Sequence, residues 1–404
     1  MMMLHRKIVA QTYISINYPT LKDGMKYKTQ LGFNLIELMV STTIGLIILA
    51  SLSALYLNIT SSNNEMAKTN LQIENGRFAM QFLENDVVHA GFWGDFVPQF
   101  NDLTLTTIPA DTPTAAPSIC LAYNATNWNA AYKNNMIGIA VQTFDDVPAG
   151  CSAVVSNKKA NTAVLVVRHA DTCVAGVGNC EVDTAGKLYF QASLCQSPLP
   201  ATMTADGSPY ILDTATFNTL HKRGCTALVT DKRKFISNIY YIRDYATTVG
   251  DGIPTLVRSQ FDLSGTTLAQ QTSVALIEGI EGFNVELGID SLSDSGVAVN
   301  YTQAIIWAST TNLTSPTNRG DGSPDGTFKT CTTASPCTAA DLTNVVAVKL
   351  YVLARNREAT RGYNDTKTYS LGSTALGPFN DGFKRHVFST SVRLTNVSTR
   401  RETP

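Results

Sequence analysis

From Phe33 to Leu57 the chain reads FNLIELMVSTTIGLIILASLSALYL, a run in which Glu37 is the one charged side chain. As a helix rising about 1.5 Å per residue, it would measure about 38 Å. That exceeds the roughly 30 Å hydrocarbon core of a bilayer, so the pattern predicts a tilted membrane span. A buried core helix is the competing reading, but core helices rarely stay apolar on every face for so long. Beyond the run, Met66, Ile73, Met80 and Val87 recur at seven-residue spacing, with Leu71, Phe78 and Phe82 beside them, and no proline occurs between Phe33 and Phe96. An apolar stripe at this period predicts that the helix continues, to about Gly91 and roughly 90 Å in all, with the stripe as core. Gly45 and Gly76 are points where such a helix can bend.

After Phe92 the texture changes to Thr, Ser, Asn and Gly with short β-favouring runs. Candidate strands are Met136 to Phe144, Ala163 to Arg168, Phe235 to Tyr241, Thr255 to Phe261, Phe283 to Ile289, Val345 to Leu353 and His386 to Leu394. In the sixth, Val346, Val348, Leu350 and Val352 alternate with Lys349 and Tyr351, the pattern of a half-buried strand. The stretch ATTVGDG between Tyr245 and Ile253 predicts a hairpin loop. No solenoid-length repeat occurs. The expected fold is α+β: one antiparallel sheet on the second half of a long helix, with a large cysteine-containing insertion from about Gln99 to Asp231.

Charge sharpens the topology. Arg6, Lys7, Lys22, Lys26 and Lys28 precede the span with only Asp23 against them, and the first basic residue after it is Lys68. The excess of positive charge on one side places the N-terminus in the cytoplasm and exports everything after about residue 60. Cysteine usage points the same way: Cys120, Cys151, Cys173, Cys180, Cys195, Cys225, Cys331 and Cys337 all lie beyond the span. An even number in an exported domain reads as disulfides. Cys173 with Cys180 and Cys331 with Cys337 can each close a small loop, whereas the pairing of the other four stays open. Zinc sites favour closer ligand pairs than these, so no metal is expected. Across the whole chain Lys and Arg number 31 against 32 Asp and Glu, which argues against a role that depends on bulk basicity, such as coating nucleic acid.

The boundary before the span resembles a known processing signature. Gly32-Phe33-Asn34-Leu35-Ile36-Glu37-Leu38 is similar to the type IV prepilin site, which a dedicated peptidase cuts after the glycine on the cytoplasmic side. The resemblance implies Gly32 as the last leader residue, Phe33 as a methylated new N-terminus and Glu37 as the fifth mature residue. Met25 is an alternative start that would leave the short basic leader MKYKTQLG. A carboxylate in an apolar helix costs at least about 2.5–3.5 kcal/mol on insertion scales, so Glu37 needs a partner or water at the headgroups. In pilins that partner is the N-terminal amine of a neighbouring subunit.

Three further stretches resemble the PilW family of minor type IV pilins: Gly76 to Asp86 with Ala90-Gly91-Phe92, Val346 to Arg355, and Val387 to Asn396. The division they imply is a leader at 1–32, the transmembrane and assembly half of the helix at 33–60, and its exported half at 61–98. The insertion follows at 99–231, then a pilin-like β domain at 232–404. The implied function is a minor pilin that helps initiate or cap type IV pilus assembly and so supports twitching motility or adhesion. Its partners would be other minor pilins, the major pilin, the prepilin peptidase and a large tip adhesin. It would sit in the bacterial inner membrane, its C-terminal domain periplasmic, and then at the pilus tip. The alternatives are a J-type minor pseudopilin of type II secretion and a membrane-anchored periplasmic binding domain.

Catalytic patterns are thin, with no G-x-S-x-G, H-E-x-x-H, phosphate loop or dinucleotide fingerprint, so neither enzymatic activity nor a cofactor is expected. His89, His169, His221 and His386 are scattered. Asp321 to Gly326 partly imitates a calcium loop but has Thr332 where a bidentate glutamate belongs, which leaves a polar loop. Arg319-Gly320-Asp321 raises an adhesion tripeptide, a match short enough to arise by chance. His221-Lys222-Arg223 and Lys232-Arg233-Lys234 are basic clusters that read as solvated loop and strand edge rather than a nucleic-acid surface.

Overall fold

The computed structural model describes residues 32, 34–195, 208–215, 217, 219–225 and 228–402. Phe33, Met25 and the leader up to residue 31 lie outside them. The chain divides into two compact units, Met1–Ser62 and Asn63–Pro404. One helix, α1 (Leu35–His89), contributes to both and is unbroken at Gly45 and at Gly76. Every described residue of the first unit is exposed.

In the second unit α1 ends where the backbone must change hand. Gly91 has φ 73°, its N–H reaches the Arg168 carbonyl at 3.0 Å, and a side chain there would crowd Val397. Glycine meets both demands at no steric cost. Next come α2 (Ala130–Gly138), β1 (Val141–Phe144), β2 (Val164–Ala170), β3 (Tyr189–Ala192) and β4 (Tyr210–Asp213). The chain continues through β5 (Arg233–Arg243), β6 (Thr255–Ser264), β7 (Thr267–Gln270) and β8 (Val274–Glu278). All eight strands share one antiparallel sheet built around β5 and β6. A second sheet follows the order β15-β12-β9, from β9 (Ile280–Ile289), β12 (Val345–Arg355) and β15 (Arg385–Arg393). Two small hairpins complete the strands, β10 (Trp307–Ser309) with β11 (Thr314–Pro316) and β13 (Tyr369–Leu371) with β14 (Thr374–Leu376). Short helices α3 (Ala339–Thr343) and α4 (Thr395–Ser398) flank β12 and β15 in sequence.

Three expectations change. The single sheet is two: four strands of the insertion, β1 to β4, join β5 to β8 in the larger, and β9, β12 and β15 form the smaller. β2 is buried along its whole length and pairs with β5 from Leu165↔Tyr240 to Ala170↔Phe235. A separate aromatic core of Trp93, Trp128, Phe190, Phe235 and Phe261 supports this sheet. The strand expected from Met136 to Phe144 is half helix: the Asn129 side chain accepts from Tyr132 N and starts α2, leaving only Val141–Phe144 extended. The buried stripe of α1 is shifted as well. Gln72, Gly76, Ala79, Met80, Leu83 and Val87 face inward, while Met66, Leu71 and Phe78 are exposed. The helix turns a polar and a small residue to the sheet because strand ends there need donors and Phe388 needs room, as the contacts below show.

Elsewhere pattern and structure coincide. β12 buries Val346, Val348, Leu350 and Val352 and leaves Lys349 and Tyr351 half-buried. The loop between β5 and β6 is the predicted hairpin, tied by the Asp251 carboxylate, which accepts from the backbone N–H of Ala246, Thr247, Thr248 and Ile253. Those four donors, with Ile253 first, outweigh desolvation and hold the Asp251 carboxyl well below its usual range.

Candidate functional site

The first unit presents a helix long and apolar enough to cross a membrane, none of whose apolar window is buried. Its polar side chains are satisfied locally. Thr42 and Thr43 donate to the Met39 carbonyl, Ser51 to Ile47 and Ser53 to Leu49. Back-bonding of this kind removes the cost of carrying hydroxyls into hydrocarbon. Glu37 sits in the first turn, where a carboxylate also suits the helix dipole. Among the described residues no side chain forms an ion pair with it.

In the second unit, α1 is held to both sheets by polar side chains as well as by its apolar stripe. Gln72 donates to the carbonyls of Ala354 (2.7 Å) and Lys384 (3.0 Å), and Asn75 to that of Glu278 (3.1 Å). At Gly76 the Phe388 ring of β15 occupies the space that any side chain would need. Glu65 accepts from Thr360 at 2.6 Å and Lys384 at 2.9 Å, which bring its carboxyl down to about 2. Asp86 accepts from His169 Nε2 (3.0 Å), Asn238 Nδ2 (3.0 Å) and Tyr240 OH (2.9 Å). Burial disfavours the His169 cation, but the hydrogen bond and attraction of Asp86 outweigh it and raise the imidazole pKa.

Three buried arginines carry much of the remaining polar architecture, and sequence pattern gave no sign of them. Arg385 binds Glu281 (2.6 Å), Asp365 (2.8 Å) and Asp381 (2.6 Å) and lies 3.7 Å over the Phe379 ring. Burial opposes its charge, yet the three carboxylates keep its pKa above the ordinary arginine value. Arg401 reaches Asp290 (3.1 Å), Asn101 (2.9 Å) and Asn344 (2.9 Å), joining the C-terminal residues to the start of the insertion. Arg168, fully buried in β2, donates to the Ile139 carbonyl and to Gln142, and desolvation lowers its pKa to about 10. Pattern reading looks for apolar periodicity, so charged residues whose partners are far away in sequence escape it.

All eight cysteines are paired: Cys120–Cys151, Cys173–Cys180, Cys195–Cys225 and Cys331–Cys337. The two short loops are those anticipated. Arg319 is 3% exposed, donates to the carbonyls of Asn300, Asn318 and Gln303 and stacks on Tyr301, so the tripeptide is not displayed for adhesion. The neighbouring loop is structural too. Asp290 accepts from Asp321 N and Gly322 N, and Asp325 from Ser291 N and Leu292 N. In the basic clusters Lys222 pairs with Asp231, Lys232 with Asp183, and Lys234 with Glu181 and Asp262. The histidines stay apart except His89 and His169, whose rings lie 5.8 Å apart.

Residues 239–396 match the family model described as Type IV Pilus-assembly protein W, PilW. This segment is PilW-like. It contains β9, β12 and β15, the whole of the sheet that receives Gln72 and Gly76 of α1. Two of the stretches that resembled the family, 346–355 and 387–396, fall inside the match, and the stretch from Gly76 to Phe92 precedes it. No curated protein matches the chain. Among solved structures, a type IV-like pilin from Thermus thermophilus is similar over 81% of this chain and 97% of its own, at 11% identity and a TM-score of 0.28.

Proposed function

We propose that the chain is a minor pilin, cut after Gly32, that waits in the inner membrane and then helps initiate or cap a type IV pilus. The observation that carries this reading is the Gly-Phe-x-x-x-Glu boundary, which opens directly into an exposed apolar helix. The PilW match at the other end of the chain supports it. Cutting after Gly32 would leave an ammonium on Phe33, four residues before Glu37. One subunit's amine would neutralise the next subunit's Glu37, relieving two charges that are expensive in hydrocarbon. The helix packs laterally, and the exported domain selects neighbours: other minor pilins, the major pilin and a large tip adhesin. Nothing in this role makes or breaks a covalent bond beyond processing by the peptidase.

Deleting the gene tests the reading. Loss of surface pili and twitching with normal release of secreted enzymes is the expected result. Normal piliation with failed enzyme release would assign the chain to type II secretion instead. A chain acting as a tethered binding domain would work without its first 61 residues and would tolerate Glu37→Ala.

A further inference from the structure

At the end of β1 the chain turns through Asp145 and Asp146 and meets the loop closed by Cys331–Cys337. Asp145 accepts from Thr333 N at 3.0 Å and Thr333 Oγ1 at 2.8 Å, and Lys158 donates to the Asp145 carbonyl at 3.0 Å. Two hollows of about 610 and 310 Å³ open around this bridge, and both are lined by Asp145, Asp146, Thr332 and Thr333. The larger adds Lys158, Asn161, Thr162, Asn284, Thr330 and Thr374, with Phe144 half-buried on its wall. Its size lies within the roughly 300–1,000 Å³ of small-ligand sites.

The chemistry of the lining narrows the ligand. Two carboxylates face one ammonium, which disfavours phosphate, sulfate or an acidic peptide. No group of three or more metal-binding side chains exists among the described residues. An apolar ligand would strand the hydroxyls and amides without partners, at a cost per group comparable to a lost hydrogen bond. A ligand with many neutral hydroxyls answers threonine and asparagine side chains, because each of its groups both donates and accepts. Two side chains are poised for it. Asn284 is 5% exposed and donates to the Leu371 carbonyl at 2.7 Å, while its own amide oxygen accepts from no group among the described residues. Asp146 accepts from Val147 N with one carboxylate oxygen, and among the described residues the other has no hydrogen-bond partner, which leaves it for hydroxyl donors. The disulfide and the β13–β14 hairpin hold the walls in place, so little ordering is needed on binding.

We propose that this cleft binds a neutral carbohydrate, one or two uncharged sugar units of a glycan, with Asp146, Asn161 and Asn284 as its polar contacts. The site lies in the exported unit and gives it a ligand of its own, independent of helix-mediated assembly.

The test uses the full chain in lipid nanodiscs, which avoids sugar-headed detergents, on an array carrying neutral, sialylated and sulfated glycans. The expected result is binding to neutral members only. About a tenfold or greater loss is expected in Asp146→Ala, the scale of a hydrogen bond to a charged group. Asn161→Gly is a second variant on another loop; Asn161 has φ 57°, which glycine accepts, so the backbone is undisturbed. Melting curves that match the parent show that loss of binding is not loss of fold. Failure of the folded parent to bind any neutral glycan, preference for acidic ones, or full binding by both variants would overturn the proposal.

Discussion

Gly76 shows how a single hydrogen in place of a side chain sets the approach of helix and sheet. The Phe388 ring fills the volume that a Cβ would take; the ring meets His386 edge-on and the helix is held one turn away by Gln72. Gly76→Ala is expected to cost about 1–3 kcal/mol despite its better helix propensity, read as a fall in thermal midpoint. Arg385 is the opposite case, a large side chain whose loss leaves Glu281, Asp365 and Asp381 crowded and uncompensated. Arg385→Ala should destabilise by about 3–5 kcal/mol and yield little folded protein. His169 makes the second unit sensitive to pH. Its folded pKa is raised, so its contribution to stability is complete below the unfolded value of about 6.5 and is lost as pH rises through the folded one. The groups around it are Asp86, Asp171, Tyr240 and the His89 ring. Melts across neutral pH should show stability falling with rising pH, and His169→Gln should flatten that slope.

The elements differ in how plainly they announced themselves. The helix was legible because nothing interrupts it from Phe33 to Phe96, and β12 because its alternation is clean. The register of the helix was not, because Gln72 and Gly76 face the sheet for reasons of hydrogen bonding and space that an apolar period cannot express. β3 and β4 escaped notice because each is four residues long and buried by aromatic neighbours rather than marked by alternation. The long disulfides were undetermined for a related reason: spacing limits short loops but says nothing about partners some 30 residues away. Cys120–Cys151 closes a loop of that size and Cys151 is fully buried. Replacing the pair with serine should cost about 3–4 kcal/mol, measured by denaturant titration under oxidising conditions.

At the scale of the whole molecule, the two charges to which the proposed function gives the assembly role, the amine freed at Phe33 and the Glu37 carboxylate, lie within five residues of one another at the head of an exposed apolar helix. Glu37→Ala should leave membrane insertion and folding of the second unit intact, since Glu37 forms no ion pair among the described residues. Incorporation into fibres should be lost, as seen by blotting sheared surface filaments against membranes. The central claim is that a peptide bond is cut on the cytoplasmic side of that helix, freeing the amine that Glu37 answers. Intact-mass spectrometry of the native chain, from cells with an active prepilin peptidase, tests it most directly. A mature N-terminus at Phe33, one methyl group heavier than the unmodified residue, is the predicted result. A mature chain that still starts at Met1 or Met25 in cells bearing normal pili, or one cut after the apolar run, would contradict it.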